Sequence, residues 1–137
     1  MGAWGEGPFD NDDAADWSYA FDDLDAGGGV AYLRAALAVA AGTPVDEELE
    51  APDGSIAIAA ADVVDRIRRG EALPEVYGES ITAWAARATP ELTDADGGLA
   101  VAAVRRVLGP ASELAELWDD AGPEWRAVTG ALESRLT

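Results

Sequence analysis

The chain has 137 residues, carries 27 acidic against 9 basic side chains for a formal net charge of −18, and contains neither cysteine nor histidine. That length suits one domain able to bury a core without disulfide or metal staples. All nine basic residues are arginines, so lysine is missing too, and the three absences exclude thiol chemistry, a Ser-His-Asp triad, an HExxH zinc site, a Walker A loop and a Schiff base.

What remains is carboxylate, Arg, Ser/Thr and Tyr chemistry, and no cofactor or metal is implied. The lack of cysteine fits a reducing compartment. No run approaches the roughly 18 apolar residues of a membrane span, and the opening has neither the basic region nor the apolar segment of a signal peptide. A cytoplasmic chain is expected. Met1-Gly2 is not a myristoylation start, because Glu6 stands where that motif wants Ser or Thr.

Sustained period-two alternation is absent, whereas apolar residues recur at three- and four-residue steps in segment after segment. The pattern predicts an all-α fold, a compact single-domain bundle of about six to seven short helices over residues 1–137. In the first helix, Asp10 or Asn11 is the N-cap, Asp12 and Asp13 occupy the first turn, and Ala14, Trp17, Phe21 and Leu24 share one face. Gly27-Gly-Gly29 is expected to stop it. The second helix turns Val30, Leu33, Leu37 and Ala40 or Ala41 inward and ends at Gly42-Thr-Pro44. Asp46 to Asp53 reads as an acidic loop.

Asp53-Gly-Ser55 then leads into a third helix with Ile56, Ala60, Val63, Val64 and Ile67 inward. On its outer side Asp62 to Arg66 and Asp65 to Arg69 are paired four residues apart. Gly70 ends that helix, and Glu71 to Gly78 is a connector containing Pro74. A short helix from Glu79 or Ser80 carries Ile81, Trp84, Ala85 and Ala88, with a turn at Thr89-Pro90. The fifth helix lies within Leu92 to Leu108, certainly from Gly98, and Gly109-Pro110 stops it. Ser112 caps the sixth, with Leu114, Leu117, Trp118 and Ala121. Gly122-Pro123 places proline at the first position of the last, whose stripe is Trp125, Val128, Leu132 and Leu136.

The opening Met-Gly-Ala-Trp-Gly-x-Gly-Pro-Phe-Asp-Asn-Asp-Asp-Ala-x-Asp-Trp is more specific than a helical bundle requires. It resembles the N-terminal signature of a bacterial family known as domain of unknown function 4259. The Ala60 to Val64 segment, the Ile81/Trp84 segment, and the Arg105 to Trp118 stretch followed by Glu124-Trp125-Arg126 are similar too. The resemblance spans nearly the whole chain and implies no activity and no catalytic residue.

Residues 1–53 hold thirteen carboxylates against Arg34 alone. A field of that sign disfavours nucleic acid and anionic membranes and favours a basic protein as partner. Asp10, Asp12, Asp13 and Asp16 are therefore the candidate binding residues. They do not form an EF-hand loop: counting from Asp10, the sixth position is Ala15 and the twelfth Phe21. The plainer reading makes them a capped helix start, with Trp4 and Phe9 inserted in the core and Asp16 paired to an arginine elsewhere. Trp17, Trp84, Trp118 and Trp125 fall on helical stripes and are read as packing rather than sugar-stacking residues. Two functions follow from the block. The chain is either an interaction module, of the immunity or inhibitor kind acting on a basic partner, or a carboxylate-based or divalent-metal-dependent hydrolase using the same Asp cluster. Oligomeric state is not encoded in any visible pattern.

Overall fold

The order of elements in the computed structural model, which describes residues 5–73 and 78–137, is α1 (Asp12–Ser18), a 3₁₀ turn (Tyr19–Asp23), α2 (Ala26–Ala41), α3 (Ala51–Arg69), α4 (Gly78–Ala88), α5 (Asp94–Leu108), α6 (Glu113–Asp119) and α7 (Glu124–Leu136). The fold is all-α, with seven α-helices among the described residues. Helices α2, α3 and α5 pack against one another. Helix α7 lies on α5 and α3, and α1 crosses the N-terminal half of α3.

Helix α3 is the centre, and its position follows from its composition. Its middle, Ala57 to Ala61 with Val63 and Val64, is small and apolar on every side and can be covered all round, while most of its polar residues gather toward the C-terminal end. Ala57 through Asp65 are all buried, while Ile56 and Ile67 of the expected inner stripe are only half-buried. The helix also begins earlier than its glycine suggests. Glu50 is the N-cap, Pro52 sits in the first turn, and Ala51 to Asp53 are helical rather than loop. The start is pinned from a distance: the Ala51 N–H donates to the Glu113 carboxylate at 2.7 Å. Just before it, Leu49 and Ser112 form an isolated parallel bridge. Gly70, left-handed at φ 69°, ends the helix as anticipated.

The glycine triplet is the clearest departure. Gly27 to Gly29 do not stop a helix; they form the first turn of α2, where the Asp25 side chain accepts the Gly28 N–H at 2.6 Å. Glycine is needed at position 29 because Trp84 of α4 lies against the backbone there, so that a Cβ would run into the indole ring. The same indole donates to the Asp25 carbonyl at 2.8 Å. Helix α1 also ends sooner than its stripe predicts. It tightens at Ser18 into the 3₁₀ turn, which aims Phe21 at the Trp84 ring 4.9 Å away.

The remaining helices depart in small ways. Thr93 caps α5 and Asp96 closes a capping box, so that helix is regular from Asp94. Pro123 is the N-cap of α7 rather than its first helical residue. On α7, Val128 faces solvent and Thr129 takes the buried place. Trp118 is half-buried, with its ring parallel to that of Trp125 at 6.4 Å. Trp4 and part of the Glu71 to Gly78 connector lie outside the described residues.

Candidate interaction surface

The opening block folds as a locked turn ahead of α1. Its Asp10 carboxylate accepts the Gly7 N–H at 3.0 Å, and the Asp10 N–H donates back to the Gly7 carbonyl at 3.1 Å. The carboxylate sits so close to the preceding chain that a Cβ at Gly5 or at Gly7 would meet it at 2.6 Å. Asn11 resolves the capping alternative. Its side-chain oxygen accepts the Ala14 N–H at 2.8 Å, while its amide donates to the Pro8 carbonyl at 3.3 Å. Phe9 is buried and packs on Trp17 at 6.5 Å. The Gly-x-Gly-Pro-Phe-Asp-Asn run is thus a backbone fitting that anchors one aromatic residue and starts one helix.

The four candidate binding residues separate into two kinds. Asp10 is half-buried and committed to Gly7. Asp12, Asp13 and Asp16 are exposed, and among the described residues none of them has an ion pair or side-chain hydrogen bond. The expected arginine partner of Asp16 does not exist among those residues. Nor is there, among them, any group of three or more acidic side chains placed to hold a metal ion.

The reason is where the arginines go. Arg34 turns away from the N-terminal carboxylates and holds Asp96 of α5 at 2.6 Å through Nε and 3.1 Å through Nη2. Arg68 pairs with Asp94, Arg105 with Glu133 and Arg126 with Asp119. Two arginines serve carbonyls rather than carboxylates. Arg87 donates to Phe21, Asp22 and Leu24, closing the 3₁₀ turn. The buried Arg106 donates to Thr43, Pro44, Glu47, Pro110 and Ala111, tying the α2–α3 segment to the α5–α6 turn.

The other three arginines meet at the α3–α7 junction. Asp62 and Asp65, expected on the outside, are 1% and 2% exposed. They are buried because α3 is covered on all sides, and a carboxylate so placed needs a cation. Asp65 accepts from Arg69 at 2.8 Å and from Arg135 at 3.0 Å, while Asp62 accepts from Arg66 at 3.2 Å and from Arg135 at 3.4 Å. Glu71 bridges Arg66 and Arg69 from above.

The two buried carboxyls respond oppositely. Burial pushes Asp62 above the ordinary carboxyl range, against the pull of Arg66 and Arg135. Burial acts on Asp65 in the same sense, but hydrogen bonds from Arg69 and Arg135 outweigh it and hold that carboxyl low. Asp96 is held lowest, at about 2, first by the hydrogen bond from Arg34 and further by the Thr93 backbone and hydroxyl. The i, i+4 Asp/Arg spacing is visible in the sequence, but nothing local to α3 points to Arg135.

Two grooves flank α1. One of about 80 Å³ is lined by Gly7, Asn11, Asp13, Ser55, Leu114 and Trp118, among others. The second, of about 220 Å³, lies between Trp17, Tyr32, Ala35, Ala36, Val39, Asp53 and Ile56. Asp13 thus borders the first and Asp53 the second. Helix α1 packs on α3, and Asp13 shares the first groove with Ala51 and Ser55 of the first turns of α3. No described helix is long and apolar enough to cross a membrane.

No curated protein and no solved structure matches this chain. A family model does, over residues 2–128, from the opening block into α7, and the chain belongs to that family, described as Domain of unknown function (DUF4259).

Proposed function

We propose that this chain is a non-enzymatic interaction module that binds a basic protein through its acidic N-terminal half. The observation that carries this reading is the allocation of cations. All nine arginines donate to acceptors within the chain, while among the described residues the side chains of Asp12, Asp13 and Asp16 and of the exposed Asp46, Glu47, Glu48 and Glu50 form no ion pair. Unneutralised carboxylates on one side of a molecule attract a positively charged partner and speed its encounter. The same field repels phosphate backbones and anionic lipid. Binding of the immunity or inhibitor kind in a bacterial cytoplasm fits this chemistry.

The hydrolase reading has less support. Asp10 is spent on the Gly7 N–H, and of the remaining three carboxylates only Asp13 borders a groove. Among the described residues no two of them line either of the grooves beside α1.

Affinity capture from the native host at low and high salt tests the proposal. The wild-type chain should enrich a basic protein at about 0.05 M salt and release it at about 0.5 M, where charges are screened beyond a few ångströms. Asp12→Asn/Asp13→Asn/Asp16→Asn should lose that protein, and Glu79→Gln/Glu91→Gln/Glu116→Gln should keep it. Capture that ignores both salt and the Asp substitutions overturns the reading.

A further inference from the structure

The groove between α1, α2 and the first turns of α3 is lined mainly by apolar side chains in a very acidic molecule. Its floor is the Trp17 and Tyr32 rings, stacked at 5.3 Å with 12° between their planes. The Tyr32 hydroxyl is already used, donating to the Trp17 carbonyl at 3.3 Å, so the ring presents carbon to the groove. Val39 stands at its edge, 48% exposed, with Ala35 and Ala36 alongside. Helix α2 has no carboxylate in any of its sixteen residues, although the chain holds 27. Its solvent side is Ala31, Ala35, Ala38 and Val39, interrupted only by Arg34, which is bound to Asp96. A helix that is apolar all round is ordinarily covered on all sides. This one is not.

We infer that this groove receives an apolar side chain from an amphipathic helix of a basic partner, whose flanking Lys or Arg residues face Asp53 and the carboxylates of α1. The inference rests on the interaction reading above and assigns it a place on the molecule. Size argues for a side chain. Small-molecule sites are clefts of about 300–1,000 Å³, and this open groove has about 220 Å³. Charge decides between partners. Asp53 lines the groove, and the exposed Asp46, Glu47, Glu48 and Glu50 run up to the start of α3. Asp16 immediately precedes Trp17 on α1, Asp13 borders the other groove beside α1, and Arg34 of α2 is occupied by Asp96. A second copy would bring the same acidic rim against itself, because a two-fold interface sets like patches face to face. A helix with leucines at i, i+3 and i+4 and lysines between them complements both the floor and the rim.

Two synthetic 14-residue helices test the inference: one with a leucine face and lysines elsewhere, the other with alanine in place of each leucine and the same charge. Each is titrated calorimetrically into the full chain. The leucine peptide should bind at least tenfold more tightly. Ala35→Gln/Val39→Asn, which changes two solvent-facing side chains and no charge, should erase that advantage while leaving the melting temperature unchanged. Asp53→Asn should weaken both peptides together. Equal binding of the two peptides to the wild type, or an advantage that survives the α2 substitutions, overturns the groove and leaves the interaction reading standing. Absence of binding by either peptide overturns both. Sedimentation that shows a dimer dissociated by Val39→Asn places a second copy in the groove and overturns the assignment.

Discussion

At the α3–α7 junction two buried carboxylates and the exposed Glu71 share three partly exposed guanidinium groups, whereas on α1 three carboxylates face water with no ion pair among the described residues. Both regions are built from the same residue types on helices, and their difference lies in what burial demands. Asp62 and Asp65 are out of water, so each unmatched charge there would be strongly unfavourable. Asp12, Asp13 and Asp16 keep their hydration and need no partner for the fold to persist. The two buried carboxylates each have an arginine, and the carboxylates of α1 that have none are exposed.

Removing Asp65 should therefore do the most damage. Asp65→Ala removes the buried acceptor shared by Arg69 and Arg135, which are about a third exposed and keep Glu71 and Asp62 as partners. The expected loss is therefore about 3 kcal/mol in denaturant unfolding, below the full cost of an uncompensated buried charge. Asp62→Asn provides the contrast. Burial already disfavours the charged form of Asp62, so an uncharged isostere there should cost less than Asp65→Asn does. Equal losses would show that the two carboxyls are equivalent and that the opposite displacements of their acidities have no energetic counterpart.

Arg106 sharpens the comparison from the cationic side. It is buried with carbonyl acceptors only, five of them from two separate segments. Arg106→Met keeps much of the packing but orphans these carbonyls, and a loss of about 2–3 kcal/mol is expected. Hydrogen exchange should rise in both of the tied segments, Thr43 to Leu49 and Pro110 to Ser112. Exchange confined to α5 would mean that the guanidinium does not hold the segments together.

Asp96 gives the same comparison a pH axis. Its carboxyl titrates at about 2 in the folded chain, below the usual value of about 3.9. A depressed carboxyl stabilises the fold at pH values above its unfolded pKa, and that contribution is lost as pH falls toward the folded one. Stability carried by Asp96 should thus be complete above about pH 5 and decline between about 4 and 2. Arg34 is half exposed, which reduces the effect through solvent screening, so Asp96→Asn should cost about 1–2 kcal/mol at pH 7. The difference between variant and wild type should shrink toward zero near pH 2.

Much of this architecture was legible before any coordinates. Local signals act within a turn or two, and they were read correctly at Gly42, Gly70 and Ser112, while the Asp10 or Asn11 alternative narrowed to Asn11 once the capping bond was seen. Errors arose where a distant residue decides. Gly27 to Gly29 has the composition of a stop, but Asp25 caps a helix there and Trp84, on another helix, requires the missing Cβ. Asp62/Arg66 and Asp65/Arg69 look the same in sequence whether a helix is central or peripheral. Only Arg135, seventy positions from Asp65, turns those pairs into an interior network. Of the candidate site, the capping role of Asn11 is local and is one of the two readings the block allows, whereas the bond from the Gly7 N–H to Asp10 has no counterpart in the sequence reading. The freedom of Asp13 and Asp16 depends on where Arg34 points, and that is set by Asp96 across the bundle.

The smallest expected effect tests the other half of the comparison. Asp16 is exposed in α1 and lies in a segment of strong like-charge density. Its neutralisation removes repulsion and no native contact, so Asp16→Asn should raise stability by a few tenths of a kcal/mol at low salt. Because that repulsion acts through water, the gain should fade as the Debye length drops from about 30 Å at 0.01 M to about 3 Å at 1 M salt. The cost of Asp65→Ala, confined to a buried network, should change little over the same range. Two Asp substitutions with opposite signs and opposite salt sensitivities would separate charge held for the fold from charge held for the field. A destabilising Asp16→Asn that ignores salt would instead reveal that Asp16 has a structural partner, and would remove it from the surface offered to a basic protein.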